Sequence, residues 1–259
     1  MHPGLGPQAE ARLLYVEQLQ LPDRVRSGPG EFVIWDIGLG AAANALAALQ
    51  ATREIARPVR LLSFDLSAAP LAFALQHAVA LGYFEGYEAP VTDLLKDNTI
   101  QFRDGARDVH WQFFPGDFPE LLRQPALAQL PPPHAILFDA FSPARNPAMW
   151  TLPVFTNLFR RLDPARPCAL PTYSRSTLMR VTLLLAGFFV GTGRPSGAKE
   201  ETTVAANTLD LIAHPLDRRW LDRAYRSHSA EPLHTPEYVR LPLTPESWER
   251  LQRHPQFTR

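Results

Sequence analysis

Phe32-Val33-Ile34-Trp35-Asp36-Ile37-Gly38-Leu39-Gly40-Ala41-Ala42-Ala43-Asn44-Ala45-Leu46 is the stretch that decides the fold. Six residues, apolar apart from Asp36, run into two glycines. An alanine-rich segment with leucines at helical spacing then continues to residue 56. This reads as a buried strand, a tight turn and a helix over 41–56. Residues 59–65 form a second apolar run, and Pro70 opens a second helix over 70–81, with proline near its first turn. The β-α-β-α order predicts a parallel sheet with right-handed crossovers, a Rossmann-like α/β fold.

Further along, residues 99–103 alternate, Asp104-Gly105 follows, and residues 109–113 alternate again. This is a β-hairpin inserted in the α/β sequence at about 97–114. Residues 135–139 read as the next buried strand. A helix is expected over 152–162 with Thr151 as its N-cap, and a strand over 169–173 weakened by Pro171. A helix over 176–186 should stop at Gly187. Residues 188–192 and 203–213 read as a closing antiparallel pair. The division expected is one domain over 1–215 and a C-terminal extension, 216–259, packed on it. The extension is rich in arginine and proline and has two short helix candidates.

Composition narrows the class. Of 259 residues, 46% are hydrophobic and 20% charged, enough apolar material for a sizeable core and too much for disorder. The single cysteine, Cys168, leaves neither a disulfide framework nor a cysteine-rich zinc site within the chain. The eight histidines are scattered, and no metal is expected. No basic start followed by an apolar run marks a secretory signal. The most apolar helix, 178–187, is about half the length that spans a bilayer, so a cytoplasmic protein off the membrane is expected. Charge is segregated: up to Asp139 there are 10 Lys+Arg and 16 Asp+Glu (−6), and from Ala140 onward 16 and 10 (+6). A basic half can face a polyanion, or it can be ordinary solvated surface.

The residues at the strand ends point to a ligand. In Asp36-Ile37-Gly38-Leu39-Gly40 a turn without side chains lets the backbone approach a bound molecule, and the helix behind it offers unpaired N–H groups. Asp65 ends the second strand, 29 residues after Asp36, where a carboxylate can accept both ribose hydroxyls. Gly116-Asp117 follows the hairpin's second strand, where such a pair can receive an adenine amino group. A dinucleotide site prefers G-x-G-x-x-G, and here the third glycine position is Ala43. There is also no lysine motif for a pyrophosphate. The acid-rich set suits S-adenosylmethionine better, since that molecule carries no phosphate.

The densest stretch leaves the fourth parallel strand: Phe138-Asp139-Ala140-Phe141-Ser142-Pro143-Ala144-Arg145-Asn146-Pro147-Ala148-Met149-Trp150-Thr151. It closely resembles the D-[GA]-F-[AS]-P-x-[KR]-N-P-x-[ML]-W-T signature of the tRNA 5-methylaminomethyl-2-thiouridine methyltransferases. Tyr15-Val16 with Leu19 and Leu21, Ser63-Phe64-Asp65, Gly116-Asp117, Thr172-Tyr173-Ser174 and Ala186-Gly187-Phe188 resemble further segments of that family. Together these cover roughly residues 15–210. Two departures stand out. Ala42 replaces the last glycine of the family's G-x-G-T-G-x-N loop. Gly197-Ala198-Lys199-Glu200-Glu201 carries two acids where the family has a basic segment.

The resemblance implies a Rossmann-like S-adenosylmethionine-dependent methyltransferase fold, mostly parallel with an antiparallel closing strand. It implies methylation of the 5-aminomethyl group on wobble uridine 34 of tRNA. The lack of an attached oxidase domain points to the stand-alone form, with a separate oxidase or modification enzyme supplying the amine. Asp139, Asn146 and Tyr173 are the candidate catalytic residues, Asp139 to orient the amine and take its proton. Asp36, Gly38, Gly40, Asn44, Asp65, Gly116, Asp117 and Asp139 are candidates for the cofactor. Phe141, Pro143, Arg145, Trp150, Ser174, Arg175 and Lys199 are candidates for the substrate, with Phe141, Trp150 and Tyr173 able to stack on a flipped base or wall the pocket. Two other readings stay open at this stage: a methyl- or aminopropyl-transferase acting on a small amine, and a non-catalytic binding protein with a decayed donor site.

Overall fold

The computed structural model describes residues 6–195 and 201–258. They divide into two compact units. One takes the chain up to Phe118 together with Pro133–Asp139 and, of the described residues, Arg194 and Pro195. The other takes Pro119–Pro132, Ala140–Gly193 and the chain from Glu201 onward.

The first unit is built on strands β1 (Phe32–Ile37), β2 (Val59–Asp65), β3 (Thr99–Asp104), β4 (Arg107–Pro115) and β5 (Ala135–Phe138), in the order β3-β4-β2-β1-β5. β1 pairs in parallel with β2 and β5, and β2 pairs in parallel with β4; only β3 runs antiparallel to its neighbour. β1 and β5 are buried along their whole length, as expected for runs covered on both faces, whereas β3 and β4 alternate. The hairpin's second strand is therefore itself a member of the parallel sheet, registered Val59 to Val109 through Asp65 to Pro115.

The helix expected over 41–56 is shorter, Ala43–Thr52. Ala41 and Ala42 are consumed by the glycine turn, and Ala42 takes a left-handed φ of 61°. The helix is buried on most sides, which explains its alanines: N-terminal helical segments at Pro7–Ala11, Arg12–Glu17 and Leu21–Arg26 pack on it. Those three segments are too short to show a hydrophobic period. The helix expected over 70–81 breaks at His77 into Ala69–Gln76 and Ala78–Leu81, and the His77 ring meets Phe73 edge-on at 4.3 Å. A further helix, Glu88–Asp97, has only a narrow apolar stripe and ends at Asn98, which has φ 57°.

The second unit carries β6 (Ala169–Thr172), β7 (Phe189–Gly193) and β8 (Thr202–Ala206) in the antiparallel order β6-β8-β7. The strand expected over 203–213 ends at Ala206: the Asn207 N–H still reaches the Cys168 carbonyl at 3.1 Å, but the Asn207 side chain replaces the return bond of the ladder. Its amide donates to the carbonyls of Asp163 and Arg166, and its Oδ1 accepts from the Cys168 N–H. Helices Leu152–Phe159 and Thr177–Ala186 pack together. Gly187 (φ 111°) closes the second, and a Cβ there would meet the Phe159 ring at 2.9 Å. Thr151 is the N-cap position of the first, but its side chain makes no capping bond.

After Pro215, helices Arg218–Tyr225 and Pro245–Gln252 form, capped by Asp217 and Thr244. This segment is knit in by backbone contacts. Leu152 N–H donates to Leu233, and Gln256 bonds both the N–H and the carbonyl of Val190.

Candidate active site

The glycine turn is fixed from three sides. The N–H groups of Gly38 and Leu39 share the Phe64 carbonyl at 2.9 and 3.2 Å. The Gly40 N–H donates to Asp65 Oδ2 at 2.8 Å, and the Tyr83 hydroxyl donates to the Ala41 carbonyl at 3.0 Å. Gly38 and Gly40 have φ of 94° and 51°. A Cβ on Gly40 would come no nearer than 4.0 Å to the Gly38 oxygen, so conformation rather than crowding requires glycine there. Ala42 pays a left-handed penalty of about 1–2 kcal/mol. It is held there with its methyl fully buried by its N–H bond to Leu39, 2.8 Å.

The predicted acids stand along the C-terminal edge of this sheet. Ile37 is registered with Phe64 and Phe138, and Asp65 with Pro115, so the ends of β1, β2, β4 and β5 align. Asp65 uses one oxygen on Gly40 and the other on the Leu66 N–H at 2.7 Å, which leaves lone pairs on both. Gly116 follows, its N–H on the Asp65 carbonyl at 2.8 Å, with Asp117 half-buried.

Asp36 is fully buried. Its Oδ2 accepts from Ser63 Oγ at 2.9 Å, Ser63 accepts from Trp111 Nε1 at 2.9 Å, and its Oδ1 has no partner. Burial pushes the Asp36 carboxyl up to about 7, opposed by the Ser63 bond and reinforced by the charges of Asp139 and Asp65.

Asp139 is exposed yet held: Asn44 Nδ2 donates to its Oδ2 at 2.9 Å, and its own N–H bonds Ile37 at 2.9 Å. One residue earlier, the Tyr15 hydroxyl, 1% exposed and set on the π-helical turn Arg12–Glu17, donates to the Phe138 carbonyl at 2.9 Å.

In the second unit, Ser142 to Asn146 is a turn, with the N–H groups of Arg145 and Asn146 on the Ser142 carbonyl. Pro143 is half-buried, Arg145 is exposed, and the Asn146 side chain is half-buried. Phe141 is 70% exposed. Trp150, a candidate to stack on a base or wall the pocket, is fully buried: its Nε1 donates to the Phe141 carbonyl at 2.6 Å and its ring lies edge-on to Tyr173. It fixes the loop that projects Phe141. The Tyr173 hydroxyl is committed to the Ala140 carbonyl at 2.7 Å, so it positions the residue after Asp139. Ser174 is buried, and its carbonyl accepts from Thr203 Oγ1 at 2.6 Å, while Arg175 beside it is exposed. Lys199 lies outside the described residues.

Trp111 and Tyr83 had no signal in the sequence. Tyr15 and Ser63 entered it only through the resemblance. Among the described residues, no cluster of three or more His, Cys, Asp or Glu is arranged to hold a metal, and no helix is long and apolar enough to cross a membrane.

This donor set fits S-adenosylmethionine. It combines a glycine turn, a buried carboxylate oxygen without a partner and further carboxylates along one edge, which suits an uncharged nucleoside joined to a cationic centre. Residues 96–208 match the family described as S-adenosyl-L-methionine-dependent methyltransferase. Fold, site and match define the class of this region: residues 96–208 are similar to S-adenosyl-L-methionine-dependent methyltransferases.

Within that class, the chain is similar to the tRNA 5-methylaminomethyl-2-thiouridine biosynthesis bifunctional proteins MnmC. It is 31% identical to the protein of Methylibium petroleiphilum over 229 residues, covering 85% of this chain and 33% of that protein. With the protein of Ectopseudomonas mendocina it shares 33% over 223 residues, 83% and 33% of the two chains. The chain thus spans about one third of the length of these relatives. In fold it is similar to MNMC2 from Aquifex aeolicus, with a TM-score of 0.67 at 21% identity, covering 95% of this chain and 75% of that one.

Proposed function

We propose that the chain transfers a methyl group from S-adenosylmethionine to the amine nitrogen of the 5-aminomethyl group on wobble uridine 34 of tRNA. The similarity to the MnmC proteins over most of this chain supports tRNA as the substrate class. The observation that carries the reading is Asp139, an exposed carboxylate held by Asn44 at 2.9 Å where β5 ends, leading directly into the loop of Phe141 to Asn146. We place the protein in the cytoplasm with its tRNA, with a separate oxidase or modification enzyme as the source of the amine. We read residues 1–215 as the methyltransferase region and 216–259 as its packed extension.

Gly38, Gly40, Asp36, Asn44, Asp65, Gly116 and Asp117 would hold the donor. When bound, it supplies an electrophilic methyl group whose leaving sulfur departs neutral. Asp139 accepts a hydrogen bond from the substrate amine and aims its lone pair. The N–C bond forms as the C–S bond breaks, and the proton lost from nitrogen passes to Asp139 directly or through water. Such a transfer needs no covalent help from the protein, and positioning supplies most of the acceleration. The Phe141 ring offers a face for the uracil, with Arg145, Pro143 and Asn146 around it and Tyr173 and Trp150 holding the loop's backbone.

The test is transfer of labelled methyl to tRNA carrying 5-aminomethyluridine. Asp139→Ala is expected to lose at least about 100-fold in kcat while still binding the donor. Folded, donor-binding wild type that leaves this tRNA unmethylated would overturn the tRNA assignment; methylation of a small amine in its place would identify the substrate.

A further inference from the structure

Two groups of arginines in the chain contrast. Every one from Arg12 to Arg107 is engaged: Arg12, Arg26, Arg53, Arg60, Arg103 and Arg107 on carboxylates, Arg24 and Arg57 on backbone carbonyls. Arg175, Arg218, Arg219, Arg223 and Arg226 are all exposed, and among the described residues none makes an ion pair or a side-chain hydrogen bond.

Four of these five stand on or just after the Arg218–Tyr225 helix. Arg219, Arg223 and Arg226 are spaced four and three apart, so they share one face, which overlooks a shallow hollow of about 460 Å³. Asp217 and Asp222 also line that hollow. Asp217 also caps the helix, its Oδ1 on the Trp220 N–H at 2.8 Å, so the three guanidiniums outnumber the two carboxylates by one charge.

Arg175 ties this helix to the loop that follows β6. Arg180, 4% exposed and bonded to Thr203 Oγ1, Thr202 and Glu201, lies near both. Its guanidinium is lowered in pKa first by burial, against the attraction of Glu201, and then by the charges of Arg223 and Arg175, so these lie within electrostatic reach of it. Arg175 follows Tyr173 and Ser174 directly, and the Tyr173 hydroxyl holds the Ala140 carbonyl beside Phe141.

We propose that Arg175, Arg219, Arg223 and Arg226 form the surface that grips the phosphate backbone of the RNA substrate, with the Arg218–Tyr225 helix as its main element. Unpaired guanidiniums in a row match phosphates on a strand. The helix also carries Tyr225, 55% exposed and packed on Trp248 at 4.5 Å with the rings tilted by 36°, an exposed aromatic surface on the same helix. A lipid surface fits less well, because the helix's apolar residues Trp220, Leu221 and Ala224 are already buried in the protein. The proposal rests on tRNA being the substrate, and the experiment separates the two.

Binding of a fluorescein-labelled, unmodified tRNA transcript to the full chain would be followed by anisotropy from 50 to 200 mM KCl, with turnover assayed on tRNA carrying 5-aminomethyluridine. For Arg219→Ala/Arg223→Ala/Arg226→Ala, the magnitude of the log–log salt slope is expected to fall by about 2–3, and affinity to weaken at least about tenfold at the lower salt. KM for tRNA should rise with kcat and the Kd for S-adenosylmethionine unchanged, whereas the matching triple lysine variant should keep most of the slope. Should the triple alanine variant not fold, Arg223→Glu, a single exposed change, reads out the same surface. Wild type that binds and methylates tRNA while the folded variants match its affinity and slope would overturn the surface and leave the substrate assignment standing. Wild type that binds donor but no tRNA at any salt overturns both.

Discussion

Asp36 is a carboxyl group held out of water with one oxygen unpaired, and this gives the proposed donor site a pH dependence of its own. Its pKa is raised from 3.8 to about 7, so between those values the unfolded chain has lost a proton that the native state keeps. The stabilising contribution of this group is therefore present in full below about pH 4 and is gone once the pH has passed about 7. Asp36→Asn removes that dependence: its melting temperature relative to wild type should rise between pH 5 and pH 8. The same group links pH to the ligand. A cationic donor near Asp36 favours the ionised form. The Kd for S-adenosylmethionine should therefore tighten from pH 6 to pH 8 in wild type and lose that trend in Asp36→Asn. A flat wild-type profile would show that the donor's charge does not reach Asp36.

At the scale of elements, the hairpin and the first helix are one construction. Arg107, fully buried at the start of β4, donates to the carbonyls of Thr52 and Leu49 and pairs with Asp104 at 3.1 Å. It thereby satisfies the C-terminal carbonyls of the Ala43–Thr52 helix, whose other end carries Asn44. Arg107→Ala would leave those carbonyls without their donor and the 2%-exposed Asp104 with only Arg53 and the Tyr87 hydroxyl as partners. A loss of about 3–5 kcal/mol in urea unfolding is expected. A loss under 1 kcal/mol would mean that water replaces the guanidinium.

Across the whole molecule, the acidic excess lies in the sequence up to Asp139 and the basic excess after it. The residues that follow Pro215 are fastened by another buried carboxylate. Glu231, 6% exposed, accepts from the Thr244 N–H at 2.9 Å, from Ser247 Oγ at 2.8 Å and from His234 Nε2 at 3.2 Å. It closes the exposed stretch around Tyr238 to Leu241 onto the last helix. Glu231→Ala should cost about 3 kcal/mol and open that stretch to limited proteolysis before the rest of the chain. Cleavage no faster than in wild type would show that the closure does not depend on the carboxylate.

The β-α-β-α order, the hairpin and the acids at strand ends were legible from the sequence because each rests on local signals: an apolar run, an alternation, a glycine turn. These signals also placed Asp36, Asp65, Asp117 and Asp139 on one edge, since parallel strands put their C-terminal ends together. The limits of helices such as Ala43–Thr52 were set by neighbours, and short helices carried too few residues to show a period. The choice of partner was not legible at all. Tyr15 reaches Phe138 across 123 positions, and Trp111 reaches Ser63 across 48. Trp150 turned inward, and Arg218, Arg219, Arg223 and Arg226 stayed exposed along the Arg218–Tyr225 helix. Burial and hydrogen-bond geometry are properties of position in space. The sequence by itself therefore determined which residues stand at the strand ends, and only the tertiary structure decided which are held, buried or left free to bind.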